Sequence, residues 1–127
     1  MHGDLELTIG YDADIPCVVM IWKGYATSAA FREGNARVLT EITDRRASKL
    51  LGDVTDFVLI GAEDQAWLNE VWIPRAMHAG LREVALVQPS FYFNRVAIDT
   101  VAQKLDRDRV QLGFFDNRDA AKAWLKD

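Results

Sequence analysis

The chain has 127 residues, the length of one domain and enough to bury a core without disulfides or metals. Half of its residues are hydrophobic, and the formal net charge of -4 repels phosphate backbones, so nucleic-acid binding is not expected. The single cysteine, Cys17, excludes an intramolecular disulfide, and no apolar run approaches the roughly 20 residues of a membrane span. The N-terminus carries acidic residues where a secretory signal carries basic ones. We therefore expect a cytoplasmic protein.

The first predicted elements are two strands. Apolar and polar residues alternate over residues 5–9, which is the two-residue period of a half-buried strand. Residues 17–24, CVVMIWKG, are mostly apolar and rich in β-branched residues, a pattern typical of a central strand covered on both faces. The short connection between the two predicts an antiparallel hairpin.

A long helix and a third strand follow. Thr27 or Ser28 can cap a helix that extends to about Ala47, because apolar residues recur along one of its faces. The next segment, SKLLGD, predicts a strand that ends at Asp53. The apolar residues 57–60 are compatible with a further strand or with a loop folded over the core, and we favour the loop.

Proline divides the next helical segment. Residues 63–72 have helical spacing, but Pro74 lacks an N–H donor and clashes with the preceding turn of a helix. We therefore expect a break near Ile73, followed by a second short helix that ends at Gly80.

The remaining elements alternate in type. They are a strand over residues 82–89, a helix after Ser90, a strand over residues 109–115 and a final helix capped by Asp116. Strands that alternate with helices form parallel neighbours joined by right-handed crossovers. The order therefore predicts one α/β domain over residues 1–127, with a mixed, mostly parallel five-stranded sheet and one antiparallel edge strand.

Several phrases within this order resemble the SpoIIAA-like branch of the STAS/SEC14 superfamily. They lie between about Trp22 and Leu125, and they read WKG, EDQAWLNEVWIPRAMHAG, REVALVQP and FFDNRDAAKAWL. The resemblance implies a small α/β sandwich with helices packed mainly on one face of the sheet. It also implies binding rather than catalysis, because STAS domains bind partner proteins and SEC14-type relatives bind lipids in an apolar pocket.

Asp53 and Thr55 are the first candidate site residues. Asp53 lies at the carboxyl end of a predicted parallel strand, where ligands of open α/β sheets usually bind, although its side chain can instead stabilise the following turn. In the STAS domains that the chain resembles, a serine directly after an aspartate is phosphorylated. Val54 follows Asp53 here, and Thr55 is the first hydroxyl, so Thr55 is the phosphorylation candidate.

The sequence contains no recognisable catalytic or metal-binding motif. His78 lies near a predicted helix C-terminus, where a protonated imidazole interacts favourably with the helix dipole. Metal sites need several ligands, but His2 is the other histidine, and Cys17 belongs to a predicted core strand. We predict no catalytic residues, no metal and no cofactor, and we keep His78 as a binding candidate.

Aromatic residues supply the other candidates. Trp67 and Trp72 are five residues apart and cannot share one narrow face of an ideal helix, so one can be core while the other is exposed or lines a pocket. Residues 90–93, SFYF, cannot point all their rings inward, and Tyr92 is our candidate for a groove or subunit contact. Phe57 belongs to the apolar segment that we expect to cover the core.

Three functional hypotheses follow from these residues. The first is a non-enzymatic regulatory or binding domain that presents the loop after the third strand and the Trp67–Trp72 segment to a protein partner or to a second copy of itself. The second is a carrier of a small apolar or lipid-like ligand, with a pocket lined by residues 57–60 and 91–93. The third is an enzyme that uses Asp53 with His78 or Glu63.

Overall fold

The computed structural model describes residues 5–58, 61–88, 92–103 and 109–127. Within these ranges the strands form one five-stranded sheet in the order β1 to β5. β1 and β2 pair antiparallel, and every other neighbouring pair is parallel, as the sequence predicts. The strands are β1 (Glu6–Asp12), β2 (Cys17–Tyr25), β3 (Lys49–Val58), β4 (Glu83–Val87) and β5 (Gln111–Phe115).

The first and the last helix begin at residues whose side chains cap them. The Thr27 hydroxyl accepts a hydrogen bond from the Ala30 N–H at 3.2 Å, which confirms the predicted start of the first helix. The last helix is capped by Asn117, whose side chain accepts from Ala120 N–H at 2.8 Å, so the predicted cap at Asp116 is wrong by one residue. The helices are α1 (Ser28–Arg45), α2 (Ala62–Trp67), α3 (Ile73–His78), α4 (Tyr92–Gln103) and α5 (Arg118–Lys126).

α2 and α3 are joined without a gap by a π-helix, Leu68–Trp72. Its wider turn is closed by the Ile73 N–H, which donates to the carbonyl of Leu68, five residues earlier. Pro74 then lies in the first turn of α3. The predicted break near Ile73 is therefore a change of helix type rather than an interruption.

Two apolar cores lie on opposite faces of the sheet. α1, the α2–α3 segment and α4 cover one face, which we call the helical face, and they pack against side chains such as Trp22, Leu50 and Leu86. α5 covers part of the other face, where Ala121 and Leu125 pack against Leu51 and Val87. The helices therefore lie mainly on one face, in agreement with the expectation from the family resemblance.

β3 is longer than the sequence suggests, because it continues through a β-bulge instead of ending at Asp53. Ile21 of β2 lies opposite Asp53, whereas Lys23, two residues later, lies opposite Asp56, three residues later. The extra residue keeps Phe57 on the helical face, where it is 1 % exposed. The loop predicted for residues 57–60 is therefore wrong for its first two residues, and the other two lie outside the described ranges.

No helix in the described ranges is both long and apolar enough to span a bilayer.

Candidate functional site

The helical face contains an apolar cavity of about 130 Å³, partly open to solvent, between the sheet and the helices that cover it. We call it the apolar cavity. Its walls come from four strands of the sheet and from α1, the π-helix, α3 and α4. Protein interiors contain few voids larger than a water molecule, so a space of this size is a distinct feature of the fold.

Aromatic rings form the wall near the carboxyl ends of β2 and β3. Trp22, Phe31 and Phe57 line the cavity and contact one another. The ring centroids of Trp22 and Phe57 are 5.2 Å apart, and those of Phe31 and Phe57 are 6.2 Å apart. These distances are typical of favourable offset and tilted aromatic pairs. Phe57, which the sequence analysis names as a binding candidate, therefore packs in the core and also lines the cavity.

Aliphatic side chains form the wall towards the amino ends of the parallel strands. Leu50, Val84 and Leu112 are aligned across β3, β4 and β5 and all line the cavity. Met20 and Leu86 lie over Gly52, where a Cβ would be only 2.7 Å from Met20 Cε and 2.8 Å from Leu86 Cδ2. Glycine at this position therefore makes room for the two side chains that form the floor.

Trp72 and Asn35 line the cavity, and their polar side-chain groups form hydrogen bonds inside the core. The Trp72 indole Nε1 donates to the Asn35 backbone carbonyl at 2.6 Å, and Asn35 Nδ2 donates to the Phe31 carbonyl at 2.9 Å. Trp72 is 6 % exposed and Asn35 is 3 % exposed. Leaving the indole N–H or the carboxamide N–H without an acceptor at these positions would destabilise the folded protein. Trp72 therefore lines the cavity and does not reach the surface.

The π-helix explains why both tryptophans of the α2–α3 segment face α1. Residues five apart lie on the same side of a π-helical turn, whereas in an α-helix they diverge. Trp67 packs edge-on against Phe31, with ring centroids 6.2 Å apart, and Arg32 lies 5.4 Å from the Trp67 ring centroid. The two tryptophans nevertheless differ in burial, because Trp72 is buried and lines the cavity whereas Trp67 is half-buried.

A buried carboxylate attaches α2 to the start of α1. Asp64, 3 % exposed, accepts hydrogen bonds from the Ser28 hydroxyl at 2.5 Å and from Arg32 Nε at 3.0 Å. These charge-assisted bonds hold the N-terminal end of the segment that carries the π-helix and Trp72. Asp64 is therefore a structural carboxylate beside the cavity wall.

Asp53 lies on the opposite face of the sheet from the cavity, at the bulge of β3. Its Oδ1 accepts from the Thr55 N–H at 3.0 Å and from the Thr55 hydroxyl at 2.7 Å, while Arg118 Nε donates to its Oδ2 at 2.6 Å. Burial raises the pKa of Asp53, but the hydrogen bonds from Thr55 and Arg118 outweigh it and hold that pKa below its ordinary value. The carboxylate is thus ionised and stabilises the bulge.

The structure separates the residues of the enzyme hypothesis. His78 is exposed at the end of α3, which leads to the amino end of β4, whereas Asp53 pairs with Val87 at the carboxyl end of that strand. Glu63 is exposed in the first turn of α2, on the helical face, while the Asp53 carboxylate bonds to α5 on the other face. Neither residue is a hydrogen-bond partner of Asp53.

Thr55 and Tyr92 are the two remaining candidates. Thr55 lies within β3 and donates to Asp53, whereas the STAS switch places its serine at the start of the following helix, which here begins after Gly61. Tyr92 is the first residue of α4, and its side chain lies outside the described part of the chain. The part of the chain that the structure describes holds no cluster of three or more metal-ligating side chains.

Sequence reasoning missed two residues with structural roles, one at the cavity and one beside Asp53. Asn35 interrupts the apolar stripe of α1 formed by Phe31, Val38 and Ile42, and a polar residue in such a stripe is a usable signal. Arg118, the partner of Asp53, is 65 residues away in the chain and offers no such signal.

The chain matches no known family model and no curated protein. Its structure is similar to that of an uncharacterised protein of the DUF3478 family from Shewanella loihica PV-4, which has a SpoIIAA-like fold. The TM-score is 0.64 at 15 % sequence identity, and the similarity covers 98 % of this chain and 95 % of the other. The protein therefore has a SpoIIAA-like fold, in agreement with the resemblance read from its sequence.

Proposed function

We propose that the protein is a non-enzymatic, cytoplasmic binding domain that takes a small apolar molecule into the apolar cavity. The observation that supports this proposal is the cavity itself, with a volume of about 130 Å³ and walls made almost wholly of apolar side chains. An engineered apolar cavity of about 150 Å³ in another protein stays dry and binds benzene or xenon. The proposal adopts the carrier hypothesis with Phe57 and Trp72 as ligand-binding candidates. Of the predicted lining, residues 57–60 and 91–93, Phe57 lines the cavity, and residues 59, 60 and 91 lie outside the described ranges.

The reactive groups of the described chain support a role without catalysis. The carboxylates of Asp53 and Asp64 both accept hydrogen bonds. Asp53 is bonded to Arg118, which connects β3 to α5, and Asp64 is bonded to Ser28, which connects α2 to α1. Burial, together with the nearby charge of Asp12, raises the pKa of the Cys17 thiol to about 11, so the thiolate that acts as a nucleophile is scarce at neutral pH. The two carboxylates and the buried thiol therefore have structural roles.

The proposal is tested by filling the cavity. Val84 lines the cavity, and Val87, three residues later in β4, packs on the other face. Val84→Leu places a methylene into the cavity, which should stabilise the ligand-free protein by up to about 0.8 kcal/mol. Val87→Leu overfills a packed region and should cost about 1–3 kcal/mol. Urea unfolding measures both changes.

Native mass spectrometry and solvent extraction of the purified proteins then test occupancy. We expect a small apolar molecule to accompany the wild type and the Val87→Leu variant, and to be absent from Val84→Leu. Equal destabilisation by both substitutions would show that no usable space exists. An identical extract from all three proteins, or no bound molecule and no added ligand bound by any of them, would contradict the proposal.

A second candidate function is contact with a protein partner or a second copy of the chain. Tyr25 and Val58 are cross-strand neighbours at the carboxyl ends of β2 and β3, and they are 49 % and 40 % exposed. Adjacent exposed apolar side chains mark interaction sites more often than isolated ones. The position of this pair supports the hypothesis that the end of the third strand contacts a partner. Trp72 is buried and cannot take part in such a contact.

Sedimentation velocity over a range of concentrations tests this second function. A Tyr25→Ser, Val58→Ser variant should lose self-association that the wild type shows, and a Val96→Ser variant, altered at an exposed valine of α4, should keep it. A wild type that stays monomeric, together with equal capture of partners by all variants, would remove the proposal. Intact-mass measurement after incubation with ATP and cell extract tests phosphorylation of Thr55.

A further inference from the structure

We infer that the apolar cavity selects a compact, uncharged molecule built on a single aromatic ring with at most short alkyl substituents. This inference rests on the proposed binding function and adds the chemical class of the ligand. Three properties of the walls lead to it, namely the available volume, the absence of charge and the arrangement of the rings.

The volume limits how much of a ligand the cavity can bury. A space of about 130 Å³ is close to the roughly 150 Å³ that accommodates benzene in an engineered cavity. A long acyl chain would exceed this volume, so its remaining carbons would either stay in water or displace packed side chains, and both cost free energy. The cavity therefore favours a ring over a lipid tail.

The lining excludes ions. Among the described side chains that line the cavity none is charged, and Asn35 carries the one carboxamide. The Nδ2 of Asn35 already donates to the Phe31 carbonyl at 2.9 Å. A carboxylate or an ammonium in this space would lose its hydration without gaining a counter-charge, which is strongly unfavourable. Even a quaternary ammonium, which can bind to aromatic faces, would meet no anion here.

The rings offer the preferred partners of an aromatic ligand. Trp22, Phe31, Phe57 and Trp72 all line the cavity, and the centroids of Trp22 and Phe31 are 5.6 Å apart with an interplanar angle of 42°. An inserted ring can make the same tilted and offset contacts, which add to the free energy of burying its surface. The flexible Met20 on the floor can adjust to its outline.

Gly52 supplies a selective way to block the site. A methyl group at this position would displace the ends of Met20 and Leu86, and both side chains line the cavity. Movement of these ends into the adjoining cavity would relieve the clash, so Gly52→Ala should reduce the volume available to a ligand. Val84→Leu reduces it from the wall, which provides a second blocking variant if the first folds poorly.

Ligand titrations followed by two-dimensional NMR test the inference. The probes are toluene, benzene, decanoate and tetramethylammonium, added to the full chain. We expect toluene and benzene to shift amide signals of the residues around the cavity. The dissociation constant for toluene should rise at least tenfold in Gly52→Ala and Val84→Leu, and it should change less than twofold in the control Val87→Leu.

The outcomes separate this inference from the proposed function. If decanoate binds the wild type more tightly than toluene and Val84→Leu blocks it, the ligand class is wrong while the binding function stands. Binding of tetramethylammonium in the cavity would overturn the uncharged class in the same way. If toluene binds equally well to the blocking variants, it occupies another place and the inference fails. If no probe binds, the inference and the proposed function fail together.

Discussion

The ion pair between Arg118 and Asp53 provides the most direct test of the bulge in β3. We expect Arg118→Met to lower the free energy of unfolding at neutral pH, because it removes the 2.6 Å hydrogen bond from Arg118 Nε to a carboxylate that is 7 % exposed. Hydrogen bonds to charged groups are worth about 1.5–3 kcal/mol. The Arg118 side chain is 47 % exposed, so solvent screens part of this energy.

The expected loss is therefore about 1–2 kcal/mol. Asp53 keeps its two bonds from Thr55, which limits the cost of leaving the carboxylate without its cation. For a domain of this length, such a loss lowers the melting temperature by roughly 4–8 °C. Glu41→Gln is the control, because it removes the exposed ion pair to Arg45 on α1 and should cost only about 0.3–0.5 kcal/mol.

The pH dependence of this loss distinguishes the ion pair from lost packing of the Arg118 side chain. The pKa of Asp53 in the folded protein is below its ordinary value, which is about 3.9 in an unfolded chain. The ionised carboxylate therefore stabilises the fold above the unfolded pKa, and this contribution disappears as the pH falls through the lowered pKa. The difference between wild type and Arg118→Met should accordingly be full at pH 7 and shrink at acidic pH below about 4.

Urea unfolding at a series of pH values measures the effect. A loss that is as large at pH 3 as at pH 7 would show that the methylene groups of Arg118, not its charge, stabilise the bulge. A variant as stable as the wild type at pH 7 would refute the reasoning altogether.

Three further expectations concern single side chains. Thr55→Glu places a second carboxylate beside Asp53 and should destabilise the protein more than Thr55→Val in urea unfolding, and the reverse order would contradict the assigned contacts. Trp72→Phe keeps a ring in the core but removes the donor to the Asn35 carbonyl, so thermal unfolding should report a loss of about 1–2 kcal/mol, and an unchanged stability would argue against that bond. Cys17 is fully buried with a pKa raised to about 11, so a thiol reagent at pH 8 should label it only as fast as the protein unfolds, and prompt labelling would exclude its burial.

The order of strands and helices was accessible from the sequence because periodicity and caps are local properties. Alternating apolar residues identify β1, a nearly continuous apolar run identifies β2, and Thr27 identifies the start of α1. The bulge was not accessible in this way. The residues after Asp53 have turn-like chemistry, and only the register against β2 shows that the strand continues to Val58.

The candidate site was less accessible, because it depends on contacts between distant elements. Phe57 and Trp72 were identified as aromatic candidates, but the cavity that they share requires the packing of α1 and α4 onto the sheet. The partner of Asp53 comes from the start of α5. Such pairings arise from tertiary packing and leave no spacing signal in one sequence.

The π-helix makes the α2–α3 segment one residue longer than an α-helical path between the same ends. Deleting Asn69, whose Oδ1 is buried without a hydrogen-bond partner, would allow regular winding through this stretch while its flanks stay in place. Homologues can therefore differ in length by one residue in the middle of a helix, where gaps are usually disallowed. An alignment that forbids a gap here would place either Trp67 or Trp72 one position out of register. It would then hide a relationship that the three-dimensional structures still show.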